Sequence, residues 1–284
     1  MTINWFPGHM KKTLDEMREN IKLCDAVIYV LDARIPLSSL NPQISEIAKN
    51  KPILYVLNKA DLADEKTTKK FVERFILDGK FTISVVSSAA RAKADIIVAL
   101  EKILASKIEK NHQKQVANLL KIMVIGVPNT GKSSIINAMC GKAKMTTGNK
   151  AGVTKHTQWA KVDGNFALLD TPGTLWPKLE DQKIAEYLAF VGSIKDDVLN
   201  IEELGFELFK LLISRHGELV ASRYGKIEQC AEEIDMYNIL CKKRGFIMRG
   251  GEIDYLRAGR AILDDFRSGK IARITLDELE NGKR

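Results

Sequence analysis

The amino-acid sequence predicts an α/β fold, a mostly parallel sheet with helices on both faces, followed by a smaller all-α C-terminal part. Three observations predict it. Short apolar runs alternate with segments of helical spacing, the pattern of strands buried on both faces and joined by crossover helices. One such run leads directly into Gly126-Val127-Pro128-Asn129-Thr130-Gly131-Lys132-Ser133, which fits the phosphate-loop pattern G-x-x-x-x-G-K-[ST] at every fixed position. After Pro177 strand patterns stop and only helical spacing remains, so the expected organisation is 1–177 as one domain and 178–284 as a helical one.

In chain order, Trp5-Phe6-Pro7-Gly8 is unsuited to a helix interior, because Pro7 fixes φ and Gly8 follows it. Met10, Leu14, Met17 and Ile21 then recur at helical spacing, which predicts a helix over His9 to Leu23. Ala26 to Leu31 reads as a buried strand ending in Asp32-Ala33-Arg34-Ile35-Pro36, and Ile53 to Leu57 as another ending in Asn58-Lys59-Ala60-Asp61, with a helix from Pro42 to Lys49 between them. A charged helix, Glu65 to Leu77, precedes the strand Phe81 to Val86 and the loop Ser87-Ser88-Ala89. The helix Ala94 to Ile108 runs into a polar stretch, Glu109 to Asn118, before the phosphate-loop strand Leu119 to Ile125. Beyond the loop a lysine-rich segment holds Gly152-Val153-Thr154, and Asp163-Gly164-Asn165 joins the strands Thr157 to Val162 and Phe166 to Leu169 as a hairpin turn. The second strand ends in Asp170-Thr171-Pro172-Gly173. Helical spacing then covers Ile184 to Val191, Leu204 to Ile213, Ile227 to Leu240 and Tyr255 to Phe266.

Bulk properties narrow the class. At 284 residues the chain is long enough for about two domains, and no apolar run approaches the ~18 residues of a membrane span. The N-terminus lacks the basic flank and long apolar block of a secretory signal, so a cytoplasmic location without membrane attachment is expected. Cys24, Cys140, Cys230 and Cys241 show no metal-ligand spacing, and free thiols are expected. The net charge of +8 is uneven. Residues 1–174 are net +10, 175–235 net −6 and 236–273 net +5. Ser134 to Val162, with five lysines, and Cys241 to Gly251, with Lys242, Lys243, Arg244 and Arg249, contain no acid. Such windows suit a phosphate-rich partner, and equally a solvated charged surface.

The phosphate loop needs its glycines to curl backbone N–H groups inward at phosphate oxygens, and the following helix adds its positive end. The backbone of Pro128, Asn129, Thr130 and Gly131 would cradle phosphates and the first helical turn, Ser133 and Ser134, would close the cradle; Lys132 would reach the β- and γ-phosphates and Ser133 would ligate Mg²⁺. The base is chosen elsewhere. Asp61 after a buried strand would accept the N1–H and N2–H of guanine, a donor pair adenine lacks, while Asn58 would tie down the phosphate loop and the Lys59 stem would lie along the purine. The bland reading of Asn58 and Asp61 is that they cap the next helix. Ser88 and Ala89 add a weaker signal, the Ala89 N–H being placed to donate to guanine O6. Asp170 would support Mg²⁺, the Gly173 N–H would meet the γ-phosphate, and Thr154 would supply a hydroxyl ligand that closes only with that phosphate present.

Together these motifs resemble a Ras-like P-loop GTPase, but in permuted order: Asn58-Lys59-Ala60-Asp61 and Ser87-Ser88-Ala89 come first and Gly173 last. The chain thus looks like a circularly permuted GTPase, which is sterically acceptable where the original termini lie close together at the surface. With Trp5-Phe6-Pro7-Gly8-His9-Met10, Asp32-Ala33-Arg34-Ile35-Pro36 and Asp170-Thr171-Pro172-Gly173 leading into Leu175-Trp176-Pro177-Lys178, it is similar to the bacterial ribosome biogenesis GTPase A family. That resemblance implies binding and hydrolysis of GTP to GDP with Mg²⁺, binding to a late precursor of the large ribosomal subunit through rRNA, and release after hydrolysis. It also implies a monomer off the ribosome.

A Ras-like enzyme orients its water with a glutamine after Asp-x-x-Gly; here that position is Thr174, where the family usually has an aliphatic residue. Family resemblance points instead to His9 on a Pro-Gly hinge, with His156 as rival and a helix-starting role for His9 as the bland reading. Asn129 corresponds to an asparagine that supports K⁺ in several GTPase families, or else braces the backbone. Two other functions stay open: a nucleotide-gated RNA- or protein-binding scaffold, and a GTPase acting on a non-ribosomal partner.

Overall fold

The computed structural model describes residues 3, 8–113, 119–141, 158–162, 166–176 and 181–279. Six strands form one sheet: β1 (Ala26–Asp32), β2 (Ile53–Asn58), β3 (Phe81–Ser84), β4 (Leu120–Ile125), β5 (Gln158–Lys161) and β6 (Phe166–Asp170), in the order β3-β2-β1-β4-β6-β5. All neighbours are parallel except the edge pair β5–β6. The Asp163-Gly164-Asn165 turn expected between those two lies outside the described residues.

β1 is buried along its whole length, which is why its sequence, AVIYVLD, shows no polar alternation. The helices α1 (Gly8–Asn20), α2 (Pro42–Ala48) and α3 (Glu65–Leu77) cover one face through Leu14, Met17, Ile44, Phe71 and Phe75. The helices α4 (Ala92–Gln113) and α5 (Lys132–Cys140) cover the other through Ile96, Leu100, Leu104, Ile135 and Met139. Each parallel crossover delivers its strand to the sheet pointing the same way. Asp32, Asn58, Ser84, Ile125 and Asp170 therefore end along one edge, where open α/β sheets bind ligands.

Beyond residue 180 the described chain forms the helices α6 (Gln182–Phe190), α7 (Ile201–Tyr224), α8 (Glu233–Lys243) and α9 (Tyr255–Arg267). α7 bends at His216, beside Gly217. The expected helix from Ile227 starts only at Glu233: Gly225 ends α7 at φ +87, and Lys243 Nζ donates to the Lys226 carbonyl, holding the connection outside either helix. The helical core extends onto the sheet portion, where Met10, Ile35, Val127 and Leu175 join Leu188, Leu204, Leu208, Ile262 and Phe266. Residues 271–279 also return to the sheet portion. Ile274 and Leu276 donate backbone hydrogen bonds to Leu62 and Arg34, and Asp277 accepts from the N–H groups of Leu37 and Ser38 and from the Ser38 hydroxyl. Among the described residues no helix is long and apolar enough to cross a membrane, and all four cysteines are free.

Candidate functional site

The phosphate loop leaves β4 and enters α5. Its glycines are required by close approach: a Cβ on Gly126 would collide with the Val30 carbonyl, and one on Gly131, at φ +91, with the Asn58 amide. α5 has no side-chain cap, so its first N–H groups face the loop's concavity, the arrangement that binds anions. Lys132 is buried and donates to the carbonyls of Gly126 and Val127 at 3.1 and 2.9 Å. Burial pushes its ammonium down to about 8, against the attraction of Asp170. Ser133 Oγ donates to Asp170 Oδ2 at 2.9 Å, an all-oxygen pair of the kind a hard divalent cation takes. A Cβ on Gly173 would lie 2.7 Å from Lys132 Nζ and from Pro128, so the Asp170-Thr171-Pro172-Gly173 turn lies directly against the loop.

Asn58, at the end of β2, joins three segments. Its Nδ2 donates to the Thr130 carbonyl at 2.9 Å and its Oδ1 accepts from the Ser87 N–H at 3.1 Å. The cap of α3 is Asp64, which accepts from the Thr67 N–H at 2.7 Å. Asn58 and Asp61 therefore do not serve as helix caps, and Asp61 stands exposed beside Lys59. Lys59 has left-handed backbone at φ +60; its ammonium bonds the Asn129 carbonyl and pairs with Asp32 at 3.1 Å. Asp32 also takes both ends of the Arg34 fork, at 2.9 and 2.7 Å. Burial opposes its charge, but Arg34 and Lys59 outweigh that and hold its carboxyl far below the usual range. Lys59 is expected from the sequence to lie along the purine, and Asp32-Ala33-Arg34-Ile35-Pro36 enters there only as a motif of the resemblance; that Asp32, Arg34 and Lys59 meet in one cluster is a finding of the structure.

Four expectations meet details that bear on them. The Ala89 N–H donates to the Val86 carbonyl at 2.8 Å, so the donor expected for guanine O6 is engaged in its own turn. The Asn129 amide donates to the Val191 carbonyl at 2.8 Å, the backbone-bracing role. Thr174 is fully buried, with its carbonyl bonded to the Asn41 amide. His9 lies in the first turn of α1; beside it, Met10 Sδ accepts from the Leu175 N–H at 3.5 Å, which brings the helix start to the segment after Gly173. Ser134 sits in the first turn of α5, half-buried. Thr154, His156, Trp5 and Phe6 lie outside the described residues, as does most of the lysine-rich segment.

A family model described as 50S ribosome-binding GTPase matches residues 121–237. Curated relatives called ribosome biogenesis GTPase A are similar along almost the entire chain. The one from Bacillus cereus is 38% identical, over 99% of this chain and 95% of its own. The one from Bacillus licheniformis is 39% identical, over 99% and 100%. Among solved structures, GNP-bound YlqF from T. maritima is 28% identical with a TM-score of 0.65, over 95% of this chain and 99% of its own. A GDP-bound YlqF structure gives the same TM-score at 29% identity. The fold is the circularly permuted P-loop GTPase fold, as the motif order had implied.

Proposed function

The chain belongs to the ribosome biogenesis GTPase A family, and from that premise we propose that it is a GTP-hydrolysing assembly factor for the large ribosomal subunit. In this reading it binds a late precursor through rRNA and leaves after hydrolysis, working as a monomer off the ribosome. The observation that carries the nucleotide half is Asn58, which bonds the phosphate loop on one side and the Ser87-Ser88-Ala89 loop on the other beside an unpaired Asp61. Asp61 reads guanine, because adenine would cover its carboxylate without supplying the N1–H and N2–H donors that guanine presents. Lys132 and the N–H groups of Asn129, Thr130, Gly131, Ser133 and Ser134 hold the phosphates, and the Gly173 N–H meets the terminal one.

Ser133 and Asp170, joined by Thr154, would hold Mg²⁺, which when bound neutralises charge on the β- and γ-phosphate oxygens. Should K⁺ assist, it would bind the Asn129 amide oxygen, since the nitrogen is committed to Val191. Thr174 is buried away from any attacking water, so His9, carried by a helix start that abuts Leu175, orients it. We assign residues 1–177 to the GTPase unit and 178–284 to a helical RNA-binding unit whose Lys242, Lys243 and Arg244 are exposed at the end of α8.

Turnover of GTP by the full chain, alone and with separated small or large subunits, tests both halves when wild type and His9→Ala are compared. Large subunits alone should stimulate the wild type, and His9→Ala should lose that stimulation while its GTP affinity stays nearly unchanged. No stimulation by either subunit would leave only a guanine-nucleotide-gated binding protein. A parallel loss of GTP affinity would remove His9 from the chemistry.

A further inference from the structure

A ring of polar contacts runs from the phosphate loop through the ends of α6 and α9 to the sheet and back to the loop. From the phosphate loop, the Asn129 amide donates to Val191, and Ser193 Oγ donates back to the Pro128 carbonyl at 2.7 Å. Val191–Ser193 is the turn that ends α6. Arg267, from the last turn of α9, caps that end: Nε and Nη2 donate to the carbonyls of Phe190 and Ala189, both at 2.9 Å, while Asp196 takes the guanidinium bidentately at 2.8 Å. The Arg267 carbonyl in turn accepts from Arg34 Nη1 at 3.3 Å, and the Arg34 guanidinium lies 5.5 Å from the Phe266 ring centre. Arg34 is clamped to Asp32, Asp32 to Lys59, and Lys59 returns to the Asn129 carbonyl.

Apart from Lys59 and the loop itself, no link of the ring belongs to the motifs assigned to the nucleotide. Asp32 and Arg34 are 1% exposed, so neither has water to fall back on if its partner moves. Lys59 and Asn129, the two residues where the ring meets the pocket, both hold left-handed backbone, at φ +60 and +61. Non-glycine residues persist there only when their surroundings over-determine them. Those surroundings are supplied from both sides of the molecule: Asp32 from the sheet, Val191 from α6.

We propose that Asp32, Arg34 and Arg267 are positioning residues for guanine-nucleotide binding: they hold Lys59 and the phosphate loop in their binding geometry by docking the ends of α6 and α9 against the sheet edge. This inference rests on the guanine-nucleotide reading of the site. Its consequence is reciprocal: if the docked helices favour nucleotide, nucleotide favours the docked helices by the same factor.

The test uses the full chain and fluorescent GDP. Arg267→Ala removes the α6 cap without touching the pocket. It should weaken GDP binding about tenfold, within the usual range of coupling between sites, chiefly through faster dissociation. Arg267→Lys, which keeps a cation but not the fork, should recover part of that loss. Hydrogen exchange supplies the readout that general destabilisation would not move. Adding GDP to the wild type should slow exchange in 189–196 and 264–276, remote from the purine, and in Arg267→Ala that response should vanish while protection of α4 is unchanged. Should Arg267→Ala be too unstable to purify, the wild-type exchange response decides alone. Wild-type GDP affinity in Arg267→Ala, or a GDP response confined to the phosphate loop, overturns the proposal. If the wild type binds no guanine nucleotide at all, the site reading fails instead.

Discussion

Lys132 carries a consequence that can be read in protons. Its ammonium is buried among carbonyls, and burial lowers its pKa from an ordinary 10.5 to about 8. Between those values the unfolded chain binds more protons than the folded one, so this group's contribution to stability rises with pH through that window. Phosphate oxygens beside the ammonium would raise its pKa again. Nucleotide binding at pH 8.5 should therefore take up a fraction of a proton, and affinity should fall as pH rises from 8 towards 10. Calorimetry of GDP binding at pH 8.5 in two buffers of different ionisation enthalpy measures this directly; identical heats would show that Lys132 is already fully charged. Asp32 behaves in the opposite sense: pairing with Arg34 and Lys59 keeps it ionised well into acid. Lys132, like Asn58 and Asp61, was legible in the sequence because phosphate loops and guanine-reading loops are short, local patterns. The partners of Pro128 and Asn129 were not, because Ser193 donates a hydroxyl to the Pro128 carbonyl and Val191 offers a carbonyl to the Asn129 amide, neither of which a spacing rule singles out.

At the scale of elements, α7 and α9 pack at a crossing made possible by Gly205 and Gly259. A Cβ on Gly205 would strike the Gly259 backbone, and one on Gly259 would strike the Ile201 carbonyl. Gly259→Ala should therefore destabilise the protein by about 1–3 kcal/mol, the usual penalty for overpacking. Gly217→Ala is the control: its Cβ would meet nothing within 4 Å, so it should be neutral or stabilise slightly. Urea unfolding of the two variants separates them, and equal stability would mean the helices do not approach so closely. Periodicity found α3 to the residue, Glu65–Leu77, because both its apolar stripe and its flanking turns are clear. It stopped α4 at Ile108, whereas the helix runs to Gln113, since a charged, solvated last turn has no apolar face to report. Residues 271–279 escaped it altogether. That segment is held by backbone bonds to Leu62 and Arg34 and by Asp277 against Ser38, none of which imposes a period.

Across the whole molecule, charge is separated along the chain, and the fold gives the separation a location. The net-negative stretch 175–235 includes all of α6 and α7. Lys242, Lys243, Arg244 and Arg249 are exposed at the end of α8 and on the hairpin that follows, where Met248 bonds Glu252 and Gly250 and Gly251 take positive φ. Lys243 is committed to the Lys226 carbonyl, and the Arg244 guanidinium lies over the Tyr224 ring. Of these four, Lys242 and Arg249 are thus the freest to meet the rRNA phosphates of the proposed function. Each phosphate neutralised releases roughly one counterion, so binding to large subunits should weaken steeply with salt. Replacing both residues by alanine should weaken binding further and reduce the slope of log affinity against log salt by about two. GDP affinity, set by the loops at the C-terminal ends of β1, β2 and β4 and not by these two side chains, should not change. Co-sedimentation with large subunits across a salt series checks this. An unaltered slope would move the RNA contact to another face of the chain.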